Sequence, residues 1–234
     1  MRYKRVIFKI SGEALSGDKT GIDDKFVDSL ALKLKEINQA GIEVSVVVGG
    51  GNFWRGRLDS TLNRFTSDSI GMLGTVMNGL ALEDRLISNG VNAFVVSAFD
   101  IPKLSQVSKT QEIRKRLSNG EIAIFVGGTG NPYFSTDTTT AVRGLEVGAE
   151  IALFAKNGVD GCYDKDPNMY SDAKKYDVLS MTEIIEKGLG VIDQSAALLL
   201  KEYRIPVIIF GMDDLDNFNK VVSDEIIGTY VKGE

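Results

Sequence analysis

Short apolar runs recur along the chain at Arg5–Ile10, Glu43–Val48, Ala93–Val96, Ile122–Val126, Ile151–Phe154 and Pro206–Phe210. Most are rich in Val, Ile and Phe. Runs of this kind fit strands buried on both faces, the environment of a parallel sheet covered by helices. Between them the apolar period changes. In Asp24–Ala40 the residues Phe26, Leu30, Leu34 and Ile37 share one helical face, Asp23 or Asp24 can cap the start, and Gly41 ends it. Further helices are predicted over Ile70–Ser88, Gln111–Ser118, Thr140–Val147 and Asp193–Tyr203. Ser180 followed by Glu183, ahead of Ile184 and Ile185, has the form of a capping box. Strands alternating with helices predict an α/β fold with a largely parallel central sheet flanked by helices on both faces. Ligands of such sheets gather beyond the carboxyl ends of the strands.

Composition narrows the chemistry. The 234 residues carry a net charge of −5, so no basic nucleic-acid footprint is present and any anion site has to be locally positive. A single cysteine, Cys162, forms no internal disulfide, which fits a reducing cytoplasm. That cysteine is expected as a small buried residue rather than a nucleophile. The apolar run at the start is too short for a signal peptide, and no run approaches the length of a bilayer span. There is no histidine, which excludes Ser-His-Asp and Cys-His catalysis and His-based zinc sites. Phosphoryl transfer suits what remains, because it needs positioning and charge neutralisation more than a proton shuttle.

Four loops rich in small residues follow predicted strands. The first, Lys9-Ile10-Ser11-Gly12, leads into a stretch that almost spells a P-loop: Gly12 and Gly17 are correctly spaced, but Asp18 stands where the lysine belongs and Lys19-Thr20 come one residue late. The second is Gly49-Gly50-Gly51-Asn52-Phe53-Trp54-Arg55-Gly56, a candidate backbone nest for phosphate with an arginine fork nearby. The third, Gly127 to Asp137, enters a helix near Thr138–Thr140, whose N-terminus attracts anions; Asp137 also reads as a first-turn acid or N-cap. The fourth, Lys156 to Pro167, reads either as a plain turn or as a base-and-ribose loop, with Tyr163 a stacking face and Asp166 a partner for hydroxyls. A fifth stretch, Asp68 to Gly79, has the glycine spacing of a tightly packed helix, with Asp68 at its start as a cap or a ligand for a hydroxyl. A parallel sheet brings the four loops to one edge.

Taken together, KISGEAL (Lys9–Leu15), GGGNFWRG (Gly49–Gly56), DSIGMLGTVMNGLAL (Asp68–Leu82), GGTGNPYFSTDTTT (Gly127–Thr140), AKNGVDGCYDKDP (Ala155–Pro167) and VIDQSAALLLKEYRIPVIIF resemble the amino-acid-kinase superfamily, and within it the bacterial-type uridylate kinases. The resemblance covers essentially the whole chain. It implies an α/β/α sandwich, one kinase domain over 1–234 with an acceptor-side lobe at roughly 1–150 and an ATP-side lobe at roughly 151–234. It also implies transfer of the ATP γ-phosphate to UMP, with Mg²⁺ accompanying ATP and no protein side chain assigned to the metal. The near-P-loop is then a coincidence, because this family holds phosphates with separate glycine loops.

By resemblance, Lys9, Ile10, Ser11, Gly12, Gly51 and Arg55 face the ATP phosphates, and Asn157, Tyr163 and Asp166 hold the ATP nucleoside. Gly50, Asp68 and the run Thr129, Gly130, Asn131, Pro132, Tyr133, Phe134, Ser135 and Thr136 surround UMP. Lys9, Arg55, Asp137 and Lys156 are the expected catalytic set, with Asp137 organising the lysines and the metal; Asp193 matches an acidic position without an assigned role. The resemblance further implies a cytoplasmic homohexamer of pyrimidine biosynthesis, inhibited by UTP, with GTP a possible activator. The segment Gly17–Ile22, where the family's GTP response lies, reads GDKTGI and lacks the phenylalanine common there, and the stretch from Arg55 to Asp68 is compact. Two other readings are a relative that phosphorylates a carboxylate or carbamate, which would lack GTGNPYFSTD, and a nucleotide sensor without catalysis.

Overall fold

In a computed structural model, which describes residues 3–17, 20–55, 61–105, 109–223, 225 and 227–234, the six apolar runs are strands. They are β1 (Arg5–Ile10), β2 (Glu43–Val48), β3 (Ala93–Ser97), β4 (Ile122–Val126), β5 (Ile151–Lys156) and β9 (Val207–Gly211). Two shorter strands, β8 (Val178–Ser180) and β10 (Thr229–Lys232), complete an eight-stranded sheet in the order β3-β4-β2-β1-β5-β9-β10-β8. All its pairings are parallel except that of β9 with β10. A two-stranded ribbon, β6 (Cys162–Tyr163) with β7 (Lys175–Tyr176), stands apart. The four short strands escape the sequence pattern because two to four residues carry no periodicity.

Helices cover both faces. On one lie α1 (Asp24–Gln39), α2 (Arg64–Ser88) and the short α7 (Asn217–Lys220), packed on Phe8, Ile10, Val46 and Leu153. On the other lie α3 (Thr110–Ser118), α4 (Thr136–Val147), α5 (Met181–Glu186) and α6 (Gln194–Glu202), packed on Ile7, Val47, Phe125 and Phe154. Alternation along β1 explains the split: Val6, Phe8 and Ile10 point to the first face, Ile7 and Lys9 to the second. Each fully buried Leu, Ile, Val or Phe contributes roughly 1.5–3 kcal/mol, and β2, β3 and β4 are buried along their entire length.

Two helices start earlier than their apolar pattern. α2 begins at Arg64, not Ile70, because the Asn63 side chain accepts from Thr66 N (2.9 Å) and caps it there. Asp68 is therefore inside the helix and is not its cap. α4 begins at Thr136, not Thr140, because Ser135 caps it and Thr138, Thr139 and Thr140 are buried against the sheet. Elsewhere the signals hold: Asp23 caps α1, and Ser180 and Glu183 make the reciprocal bonds of a capping box ahead of α5. Gly12–Ser16 is a 3-10 turn rather than the start of a P-loop helix, and Asp18 and Lys19 lie outside the described residues.

Candidate active site

The order in which strands are added reverses around β1, while their direction does not. Connections run from β1 outward to β2 on one side, and later to β5 on the other. The loops after β1, β2, β4 and β5 therefore leave the sheet at the same edge, the place where such folds bind ligands. Gly12 lies so close to the second loop that a Cβ there would be 2.7 Å from Gly49 and Gly51 backbone atoms. Gly50 is pressed against α2 in the same way, with a notional Cβ 2.4 Å from Gly71 O. These contacts require glycine and pull the loops together.

Polar side chains lock the arrangement. Asn52 and Asn78 exchange amide hydrogen bonds of 2.9 and 2.8 Å, and Asn78 Nδ2 also donates to Gly49 O (2.7 Å), tying the second loop to α2. Thr75 Oγ1 accepts from Gly127 N (2.7 Å), tying α2 to the third loop. That loop turns through three glycines with positive φ, Gly127, Gly128 and Gly130. Tyr133 also has positive φ (75°), a strained conformation for a side-chain-bearing residue. Its N–H donates to Asp68 (2.8 Å), and Arg64 pairs with Asp68 (3.2 Å) and lies over the Tyr133 ring.

The result is a cavity of about 510 Å³ between the second loop, α2 and the start of α4, within the size range of small-ligand sites. Gly50, Gly51, Arg55, Asp68, Asn131, Phe134, Ser135 and Thr136 are on its wall. Trp54, Thr75, Met72 and Glu13 also line it. Glu13 is absent from the sequence reading, although it pairs with Arg55 (3.2 Å). Trp54 donates its indole N–H to Ser67 (2.9 Å), which fixes one side of the mouth.

A second cavity of about 520 Å³ adjoins the first, and Ser135 and Thr136 line both. Its wall includes Lys9, Asp137, Asp193 and the apolar Ile184, Leu189 and Ile192. Here Asp137 pairs with Lys9 at 3.2 Å and with Lys156 at 3.7 Å. The lysines come from adjacent strands, β1 and β5, and the carboxylate from the first turn of α4. Burial opposes ionisation of Asp137, but the charges of Lys9 and then Lys156 outweigh it and hold the carboxyl below its usual range. Burial, and next the Lys9 charge, push Lys156 down to about 8. Lys9, Lys156 and Asp137 together carry a net positive charge beside a helix N-terminus, with the Asp193 carboxylate also on that wall, and the two lysines are cations suited to phosphate.

Other expected site residues lie elsewhere. The Ile10 side chain is wholly in the core and its carbonyl accepts from Gly49 N (2.9 Å). Ser11 precedes the 3-10 turn without capping it through its side chain. Thr129 bonds to its own loop at Asn131, Gly130 turns that loop with a positive φ, and Pro132 is on neither cavity wall. Asn157, Tyr163 and Asp166 are not on either cavity wall. Tyr163 Oη donates to Asp160 (2.6 Å), and Asp166 accepts from Asn168 N (2.9 Å) within its own turn. Cys162 is buried, with its thiol pushed up to about 11 by burial.

Glycine loops on parallel strands, two cations held by one carboxylate and two adjoining cavities define a phosphotransferase that works without a P-loop lysine. The amino acid kinase family model matches residues 4–211, and the chain belongs to that family, among its bacterial-type uridylate kinases. A uridylate kinase of Pediococcus pentosaceus is 47% identical over 237 residues, spanning all of this chain and 98% of that protein. The crystal structure of a UMP kinase from Bacillus anthracis superposes with a TM-score of 0.96 at 33% identity, covering 100% of this chain and 98% of the other. A UMP kinase from Ureaplasma parvum gives 0.92 at 36% identity, covering 99% and 100%.

Proposed function

We propose that the protein transfers the γ-phosphate of ATP to UMP, giving ADP and UDP. The observation that carries this is the Lys9–Asp137–Lys156 cluster at the N-terminus of α4, with Lys9 and Asp137 on the wall of the second cavity next to Ser135 and Thr136, which line both. UMP occupies the first cavity, with Gly50, Asp68 and the run Thr129 to Thr136 around it. ATP presents its phosphates to Lys9, Ser11, Gly12, Gly51 and Arg55. Its nucleoside belongs to the loop bearing Asn157, Tyr163 and Asp166. Residues 1–150 then form the acceptor side and 151–234 the donor side of one domain.

An oxygen of the UMP phosphate attacks the γ-phosphorus in line, and the bond to the β–γ bridging oxygen breaks as ADP leaves. That oxygen is already anionic at neutral pH, so no general base is required. Repulsion between two polyanions is the obstacle. Lys9 and Lys156 neutralise it, Asp137 keeps both lysines in register, and the α4 N–H groups add fixed positive dipoles. Among the described residues no three His, Cys, Asp or Glu side chains cluster as a metal site, and Asp137 is engaged by both lysines. A Mg²⁺ ion would come to this site with ATP and would supply charge neutralisation there.

The wider reading is a cytoplasmic enzyme of pyrimidine biosynthesis, inhibited by UTP, which carries the same base and sugar as UMP. No helix among the described residues is long and apolar enough to cross a membrane. A homohexamer is supported by α2, which exposes Phe65, Leu73, Met77 and Ile87 within a stripe about 120° wide.

ADP release with UMP, CMP, dUMP and acetylglutamate, each with and without GTP and UTP, tests the assignment. UMP is expected to be the preferred acceptor. Activity on the carboxylate alone would reject the reading. Lys9→Ala is expected to bind UMP nearly normally and to turn over on the order of 10²–10³ times more slowly. Equal, negligible rates for both proteins would favour a nucleotide sensor.

A further inference from the structure

Asp193 has three donors on one carboxylate. It caps α6 by accepting from Ala196 N (3.0 Å), and it accepts from Thr138 Oγ1 (3.0 Å to each oxygen) and from Ser135 Oγ. Ser135 in turn accepts from Asp137 N (3.0 Å) and Thr138 N (3.2 Å), the bonds that begin α4. The Ser135 hydroxyl has one proton to give and two lone pairs to share. All three are committed within the protein, so its hydroxyl is not free to grip a ligand. Its place between the two cavities is that of a fastener.

We propose that Asp193 is a positioning residue, whose bonds to Ser135 and Thr138 fix the first turn of α4 and thereby the placement of Asp137 between Lys9 and Lys156. The role rests on the phosphotransfer reading above. A carboxylate is needed because it is acceptor-only and has room for all three donors. Its backbone amide also favours the ionised form of Asp137, and its charge helps keep Lys156 protonated. One cap thus joins α6, which walls the second cavity, to the helix turn shared by both cavities.

Asp193→Asn separates capping from positioning. Asparagine caps helices as well as aspartate does, so the circular dichroism spectrum and melting temperature should stay near those of the parent. Its amide cannot accept from both hydroxyls and Ala196 together. Turnover of UMP is expected to fall on the order of 10²-fold, the cost of a small misplacement of reacting groups, with KM for UMP little changed. The alkaline limb of the rate profile should move to lower pH, because Lys156 loses an attractive charge. Hydrogen exchange at the Asp137 and Thr138 amides should quicken about tenfold, the worth of a hydrogen bond. A kcat within twofold of the parent, or a reduced kcat with unmoved exchange and an unmoved limb, would overturn the proposal.

If Asp193→Asn does not fold, Thr138→Val and Thr138→Ser decide. The valine should slow turnover and the serine, which keeps the hydroxyl, should restore it; equal impairment of the two would overturn the proposal. Should the parent protein fail to phosphorylate UMP, the acceptor assignment falls alone. The exchange rates at Asp137 and Thr138 then still decide on Asp193.

Discussion

Lys156 sets the clearest expectation for a single residue. Burial, then repulsion from Lys9, bring it to about 8, against an ordinary lysine value of 10.5. The protonated form is the one that neutralises phosphate, so kcat/KM should fall as pH rises past about 8. A pH–rate profile checks this, and Lys156→Arg should remove the limb because guanidinium stays charged. The stability sign is opposite. Between about 8 and 10.5 the unfolded chain binds more protons at this site than the folded one, so stability from this group rises with pH through that window. Lys156 stands among the expected catalytic residues through the family resemblance, not through any local pattern. Its partnership with Asp137 and Lys9 was not read from spacing, since 128 and 19 residues separate Asp137 from Lys9 and Lys156 along the chain.

Among the elements, α2 shows how a helix becomes part of a site. Its Gly74 and Gly79 were read as close-packing positions, and Gly79 does face Val126, with a notional Cβ 2.3 Å from Cγ1. Thr75 and Asn78, in the same stretch, gave no signal of their own, yet they hold the loops after β4 and β2. Thr75→Val keeps the shape but leaves the buried Gly127 N–H without its acceptor. Denaturant unfolding should show a loss of about 1–3 kcal/mol, with a raised KM for UMP as the third loop loosens. An unchanged midpoint would show that the bond contributes nothing net. The early starts of α2 and α4 share one cause: their first turns bury no apolar side chain, so capping decides them, not apolar period.

At the scale of the molecule, the continuous sheet carries both cavities, and the one antiparallel pairing within that sheet among the described residues, β9 with β10, brings β10 back beside β8 and the α5 wall of the second cavity. The apolar stripe on α2 belongs to this scale too. Leu73→Glu with Met77→Glu places charge in an exposed apolar strip, away from the residues that hold the loops. Light scattering should show a large assembly for the parent and smaller species for the double variant. An unchanged mass would place the subunit contacts elsewhere.

The six long strands, the layering of helices on both sheet faces and the four small-residue loops were fixed by local information: runs of apolar residues, their period and the glycines that punctuate them. Those signals act over a few residues, so they survive without knowledge of the fold. Which charges meet was decided only by the tertiary structure. Asp137 is a helix-start acid until β1 and β5 lie side by side, and Asp193 is a helix cap until α6 docks on α4. Side-chain pairing depends on the through-space distances that the sheet order sets, and no local pattern in the chain encodes them.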